Sequence, residues 1–401
     1  MVVAYKRFRE GARPFLIASA GLAIGALVMT GCSSPAAESG SEAAPPASSS
    51  APAPAAGDSD AMASALAGVA AVKGVPTYNG PTDPLDISKV KGKTVYFINS
   101  MPNNAFQETL IKNFTEAAGL MGMEVVSLGD GNPTQQTAFV NQAVDAKAAG
   151  IVLLSIGDGQ VSTALTNAKA ANIPVITMAQ TSAGEDPGKN ITNLVNVNVA
   201  DIGKAQVDLA YVLSDGKVNA IGYGGEVLPQ DVSQWKGQQD RINELCPDTC
   251  KYSPLNIDLN TFQTQLPSVA TAAMVADPEL NWFFPTWDIL GGYLVPAIES
   301  QGKTGQVRWT AWNGIPAAME LVRDGKQTAT FGAPLRWWGY ATADMIGRYI
   351  AGQEVAPSGE NLPFRLIDKE IIDAAGTTDD EAKLYEDGPV IEKYKTLWGV
   401  N

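Results

Sequence analysis

Between residues 93 and 331 the chain alternates two hydrophobic rhythms. Short apolar runs at 95–98, 124–128, 151–154, 175–177 and 194–197 are bounded by turn residues and read as buried strands. After the first run, Phe106, Leu110, Ile111, Phe114 and Ala118 recur at helical spacing. Further helices are predicted over 135–149 and 161–171. A second series repeats the scheme, with strands at 218–222, 254–257, 282–284, 307–310 and 328–331 and helices at 202–213, 268–275 and 317–323. Alternation of this kind predicts parallel sheets covered by helices on both faces. The series divides naturally near Asn198, so the expected fold class is α/β, built as two doubly wound parallel-sheet lobes.

Ligands of such sheets bind beyond the carboxyl ends of the strands. The first predicted strand ends in Asn99, Ser100, Met101, Pro102, Asn103 and Asn104, more hydrogen-bonding side chains than a turn needs. Other strand exits carry Ser155, Gly157 and Asp158; Met178, Ala179 and Gln180; Trp287 and Asp288; and Trp312 and Asn313. Each has a plainer reading beside the functional one. Asn103 and Asn104 suit a turn and a helix cap. Phe106 has the spacing of a core residue, Trp287 and Trp312 fit a lobe interior, and Asp288 is placed to cap a helix over 289–298. Trp337 and Trp338 serve equally as hinge packing or pocket wall.

Composition narrows the chemistry. A net charge of −14 argues against a nucleic-acid surface. The 401 residues contain no histidine, which removes His-based triads and His metal ligands. Gly302-Lys303-Thr304 lacks the earlier glycine of a phosphate loop, and no Gly-x-Ser-x-Gly elbow occurs. Neither a cofactor nor a metal is expected. At the N-terminus Lys6, Arg7, Arg9 and Arg13 precede an apolar run from Phe15 to Met29, the layout of an export signal over residues 1–31. Met29-Thr30-Gly31-Cys32 resembles a bacterial lipobox, which implies lipidation of Cys32; a plain signal peptide or membrane anchor is the alternative. Residues 32–60, rich in Ser, Ala, Pro and Gly, read as a disordered tether. In an exported chain Cys246 and Cys250 read as a local disulfide, since zinc would need further ligands that are missing.

Several stretches resemble the type I periplasmic solute-binding proteins of the ribose-binding branch, which serve ABC importers. Ser100 to Phe106 is similar to that branch's first-strand exit. Ala149-Gly150-Ile151-Val152-Leu153-Leu154-Ser155 with Asp158, and Ala171-Asn172-Ile173-Pro174-Val175-Ile176-Thr177, follow at family spacing. Asp277-Pro278-Glu279-Leu280 and Ala311-Trp312-Asn313-Gly314-Ile315-Pro316 continue the series, so the likeness runs from about Lys91 to Phe364. It implies a hinge of three crossovers, near Asn198, Ala333 and Leu362. Lobe one would then hold 91–197 plus 334–361, and lobe two 198–333 plus 362–401.

Carried over residue by residue, the resemblance implies ligand contacts from Ser100, Asn104, Phe106, Ser155, Gln180, Gln234, Trp287, Asp288 and Asn313. Ala179-Gln180 stands where sugar binders of the branch have Asp-Arg, Trp287 where they have Asn, Asn313 where Asp is common, and Ala333 where Gln is common. Loss of the Asp-Arg pair removes charge-assisted hydrogen bonds to ring hydroxyls, and tryptophan adds a stacking face. A neutral, partly apolar solute related to carbohydrate is therefore expected. The reading is a monomeric, non-enzymatic substrate-binding lipoprotein of an ABC importer, held on the extracytoplasmic side of the cell membrane and delivering solute to a permease. The alternatives are a sensory module for a membrane signalling protein, or an exported enzyme using Asp158 and Asp288 as an acid–base pair.

Overall fold

The computed structural model describes residues 56–356 and 359–400, so the signal peptide, Cys32 and the tether up to residue 55 lie outside the described residues. The described chain begins with helix α1 (Ala56–Lys73) and enters the first sheet at β1 (Thr94–Asn99). There follow α2 (Ala105–Leu120), β2 (Glu124–Leu128), α3 (Pro133–Asp145), β3 (Gly150–Leu154), α4 (Ser162–Ala170), β4 (Val175–Met178) and β5 (Asn193–Val197). Every residue of β3, β4 and β5 is buried, as expected of strands covered on both faces.

The second sheet opens after α5 (Val199–Leu213), whose first turn is capped by the Asn198 side chain. Its elements are β6 (Asn219–Gly224), α6 (Pro229–Leu245), β7 (Lys251–Asn256), α7 (Phe262–Ala276), β8 (Trp282–Pro285), α8 (Asp288–Gly292), α9 (Val295–Ser300), β9 (Arg308–Asn313), α10 (Pro316–Arg323) and β10 (Ala329–Gly332). The chain then returns through α11 (Leu335–Ala351), which packs along α2, and β11 (Glu360–Leu362), which joins β5. It ends in β12 (Arg365–Ile367), α12 (Lys369–Ala375), α13 (Glu381–Leu384) and α14 (Gly388–Trp398).

The strand orders are β11-β5-β4-β3-β1-β2 and β12-β10-β9-β8-β6-β7. All pairings are parallel except β10 with β12. The expected two-lobed parallel α/β class is therefore the observed one, and the chain passes between sheets after β5, after β10 and between β11 and β12. Predicted strand limits shift by a few residues; 254–257 becomes Lys251–Asn256 and 307–310 becomes Arg308–Asn313. Cys246 and Cys250 form the disulfide, with Cα atoms 5.4 Å apart.

The chain's ends add what the alternation does not predict. Helix α1, whose first residues overlap the expected tether, packs on α5 and β12. Ser64 accepts a hydrogen bond from Arg241, which also pairs with Asp208 at 2.6 Å, and Lys73 pairs with Asp368 at 2.7 Å. Past α1 the chain runs over the hinge: Tyr78 stacks on Trp337 at 6.0 Å and meets Tyr394 edge-on at 5.5 Å. The Asn79 amide donates to the Asn361 carbonyl at 2.7 Å. At the other end, α14 packs on α11 of the first lobe, where the indole of Trp398 donates to Asp344. The stretch expected in lobe two after residue 362 thus divides, with β12 in the second sheet and α14 against the first lobe.

Candidate inter-lobe cleft

The loop after β1 satisfies part of its own polar groups, while the buried side-chain oxygen of Asn99 at the end of β1 has no partner. Asn104 Oδ1 accepts from the backbone N–H groups of Phe106 (3.0 Å) and Gln107 (3.2 Å), capping α2. Gln107 folds back, donating to Ser100 Oγ at 2.9 Å and accepting from the Met101 N–H at 2.9 Å. The surplus of short polar residues therefore has a local cause: a cap and a clamp that fix the loop at the strand exit. Phe106, one residue into the helix, is held at the junction of the lobes. Its ring meets Trp312 of β9 edge-on at 6.4 Å and Trp338 of α11 at 5.8 Å.

Backbone strain gathers at other expected positions. Ser155 and Ala179 leave β3 and β4 with φ of +55° and +50°, and Asn313 ends β9 at +134°. Residues with side chains seldom adopt such angles, and strain of this kind persists where the surroundings impose it. Beyond Ala179 the Gln180 carbonyl accepts a hydrogen bond from the Gln230 N–H of α6 at 3.3 Å, which joins the lobes. Close by, Ser233 Oγ donates to Glu185 Oε1 at 2.6 Å, a second bond between lobes.

Two of the residues in the expected binding set turn away from this seam. The Asp288 carboxylate is buried and accepts from the Gly314 N–H (2.8 Å), Gln327 Nε2 (2.9 Å) and Thr330 Oγ1 (2.8 Å), tying the ends of β9 and β10 together. Burial raises its pKa above the usual carboxylate range. Gln234 is fully buried between α5 and α6, where its amide donates to Gln206 Oε1 at 2.9 Å. Gln238 donates to the same oxygen, so a polar helix interface produced the signal that resembled a pocket residue. Ser100, Asn104, Phe106, Ser155, Gln180, Trp287 and Asn313 lie at strand exits or the helix start behind them.

The geometry also brings forward residues outside that set. Trp312 is almost wholly buried, yet its indole N–H has no partner. The side-chain oxygens of Gln180 and Gln230 are likewise buried and unpaired. Trp287 is partly buried, packs on the main hydrophobic clusters of both lobes and donates its indole N–H to Asp231 at 3.0 Å. Asp231 is wholly buried, and burial pushes its pKa up to about 7 against the opposing pull of its hydrogen-bond donors. In the sequence Asp231 reads as an ordinary first-turn acid of a helix, which favours negative charge there. Beside the seam, a groove of roughly 550 Å³ opens between α2 and the second lobe, lined in part by Ala105, Thr109, Gly314 and Pro316. Among the described residues no group of His, Cys, Asp and Glu is arranged to hold a metal ion.

Two α/β lobes that meet along the carboxyl ends of both sheets, with the chain crossing repeatedly between them, have the architecture of a hinged binding protein. The chain belongs to the periplasmic binding protein family, whose periplasmic binding protein domain matches residues 95–354. Solved structures with the same fold include an ABC sugar transporter subunit from Rhodobacter sphaeroides, 20% identical with a TM-score of 0.62, covering 70% of this chain and 99% of that one. A periplasmic solute binding protein of an ABC transporter from Actinobacillus succinogenes, solved with bound D-allose, is 19% identical with a TM-score of 0.62 and coverage of 69% and 98%. A carbohydrate transporter protein from Acidothermus cellulolyticus, in complex with myo-inositol, is 18% identical with a TM-score of 0.60 and coverage of 74% and 99%. No curated protein sequence matches the chain.

Proposed function

We propose that the protein is the extracytoplasmic solute-binding subunit of an ABC importer, and that its inter-lobe cleft takes a sugar, polyol or related neutral solute. The observation that carries this reading is the character of the unpaired seam groups. Gln180 Oε1, Gln230 Oε1 and Trp312 Nε1 are buried, neutral and without partners, and both lobes contribute them. Buried polar atoms are almost always paired, so such a set favours a guest that supplies hydroxyl groups. Phe106 and Trp287, both partly exposed, add ring faces of the kind that cover sugar C–H surfaces. The solved relatives that hold D-allose and myo-inositol agree with a neutral polyhydroxylated ligand.

Binding then works as a two-state equilibrium. A solute that touches both lobes favours the closed arrangement by its difference in affinity for the two states. The closed form presents itself to a membrane permease, and the chain acts as a monomer on a lipid attached at Cys32.

The test is a thermal-shift screen with D-allose, myo-inositol, allitol, an aromatic glycoside and charged amino acids. A neutral polyol at a hundredfold excess over its Kd stabilises the fold by about 2.7 kcal/mol and raises the melting temperature. Q180A loses that shift while melting near the parent; W287A also loses it, from a lower melting temperature, because Trp287 packs on the hydrophobic clusters of both lobes. A shift produced only by charged solutes, or by none of the panel, overturns the reading. Loss of fatty-acid labelling in C32A tests the anchor separately.

A further inference from the structure

Asp231 has a carboxylate that is fully buried, and its hydrogen-bond partners among the described residues are all neutral. Oδ2 accepts from the Gly225 N–H at 2.9 Å and Thr286 Oγ1 at 3.0 Å, while Oδ1 accepts from Trp287 Nε1 at 3.0 Å. An ionised group taken out of water without a counter-charge is costly, and apolar or amide side chains could staple two loops at lower cost. What a carboxylate offers beyond them is acceptor capacity on both oxygens. Once ionised, above about pH 7, it can receive the backbone N–H on one side and the indole N–H on the other at the same time. An amide in that place turns an NH₂ toward one of those donors, whichever way it is oriented.

The donor on the second side is what matters for the cleft. Trp287 is partly exposed and packs against hydrophobic residues of both lobes. An indole held by packing alone retains freedom about its two side-chain torsions, and a charge-assisted hydrogen bond to the ring nitrogen removes most of it. The helical turn that carries Asp231 also makes the lobe-to-lobe bonds of Gln230 and Ser233. The carboxylate is therefore rooted at the seam itself.

We propose that Asp231 is a positioning residue of the cleft, which fixes the face that Trp287 presents to the solute by holding its indole nitrogen. The proposal rests on the reading of Trp287 as a wall of the solute site. It assigns a role to a residue that does not itself touch the solute.

The experiment has two arms. In ¹⁵N–¹H spectra of the ligand-free protein at pH 8, where the Asp231 carboxylate is ionised, the Trp287 indole resonance is identified by its loss in W287F. The proposal expects that N–H to exchange slowly with solvent in the unmodified chain, and to shift and exchange faster in D231N. A fast-exchanging Trp287 N–H in the parent overturns the proposal even where D231N does not fold. So does a resonance that D231N leaves unmoved. The second arm measures the affinity for whichever of D-allose, myo-inositol or allitol binds, in a cycle of D231N, W287F and the double variant. Because coupled residues are non-additive, D231N is expected to weaken binding about tenfold alone and less than about twofold in the W287F background. Equal losses in both backgrounds mark a merely structural residue and overturn the proposal. Failure of all three solutes to bind the parent counts against the function proposed above, while the spectra still decide the role of Asp231.

Discussion

The two lobes share one sheet topology and differ in what fills the ends of their strands. Lobe one closes its exits with short loops that bond to themselves, as Ser100, Asn104 and Gln107 do, or that turn sharply at Ser155 and Ala179. Its second core face is mostly aliphatic, with Ile98, Val140, Leu153, Leu165 and Val175. Lobe two closes its exits with tryptophans and buried carboxylates, and its cores include Tyr223, Trp282, Phe283, Phe284 and Trp309. The same fold thus makes one wall from turn geometry and the other from rings fixed by buried hydrogen bonds. The second construction depends on more buried hydrogen bonds to carboxylates, and so has more ways to fail. Lobe two should therefore answer more strongly to point changes and to pH.

The largest difference should come from the helix pair beside each sheet. In lobe two, α5 and α6 approach through Gly203 and Gly237, and a Cβ at 237 would lie 2.0 Å from the Ala200 carbonyl oxygen. In lobe one, α2 and α11 meet at Gly339, where a Cβ would lie 2.7 Å from Asn113 backbone. Both obstacles are main-chain atoms that cannot rotate aside. G237A is expected to cost about 3 kcal/mol or more and G339A less, following the usual overpacking range. Urea titration of both variants checks the order. Equal midpoints would remove the contrast between the two helix pairs.

Next in size is D288A. It deprives the Gly314 N–H, Gln327 and Thr330 of their acceptor in the interior, while also removing a buried carboxylate whose desolvation is costly. A net loss of about 2 kcal/mol is expected, because unsatisfied buried donors cost about 1–3 kcal/mol each. The comparison in lobe one is N104A, which loses only a helix cap and about 1 kcal/mol. Chemical denaturation of the pair sharpens the comparison: if N104A is the more damaging, polar wiring does not distinguish the lobes.

Much of this plan is legible in the sequence, and the reasons for the remainder are physical. The ten alternating runs predict ten of the twelve strands because a doubly covered strand tends to be apolar along its length, as β3 is. The position of Ser155, Gln180, Trp287 and Asn313 at the carboxyl ends of strands follows from the same alternation. Gln234 and Asp288 read as candidates through the resemblance, and a polar residue carried over in that way looks the same whether it faces a ligand or another helix. Only tertiary contacts separate the two cases, and here they turn both residues inward. Helix α1 escapes notice because its alanine-rich run has no apolar stripe for periodicity to find. The role of α14 is hidden because a terminal helix can pack on either lobe, and its contacts with α11 are set by rings far apart in sequence, such as Tyr340 and Trp398.

Acidity gives a third, smaller contrast. Burial pushes Asp231 and Glu381 up to about 7 on the side of lobe two, and Glu360 up to about 7 in β11 at the hinge. In each case the folded state holds a proton that the unfolded chain releases near pH 4. The unfolded state therefore binds fewer protons between about pH 4 and 7, and stability falls as pH rises through that window, levelling above it. The melting temperature is expected to be a few degrees lower at pH 8 than at pH 5. D231N should flatten part of that slope, because it removes one titrating group from the folded state. Calorimetry across pH 5–8 decides it, and a melting temperature that rises with pH would show that these carboxylates are ionised throughout.

The smallest effect on stability carries the most information about how the lobes are joined. Glu185 is exposed, and its hydrogen bond from Ser233 links a loop of lobe one to the first turn of α6. Replacing it in E185A leaves both cores untouched. A single hydrogen bond at a partly wet site is worth about 1 kcal/mol or less, so the unfolding midpoint should hardly move. The same loss acts in full on the equilibrium between open and closed arrangements, because the bond exists only when the lobes meet. A change of about 1 kcal/mol alters that ratio roughly fivefold. Ligand-free E185A should thus show a larger radius of gyration in small-angle scattering than the parent, with an unchanged melting temperature. Adding a binding solute should restore the compact form, since the solute supplies contacts to both lobes that replace the missing one. If scattering from E185A and the parent coincides without solute, Glu185 and Ser233 do not set the closure equilibrium. Closure would then rest on the other inter-lobe contacts, among them the Gln230 N–H bond to the Gln180 carbonyl and the Phe106–Trp312 ring contact.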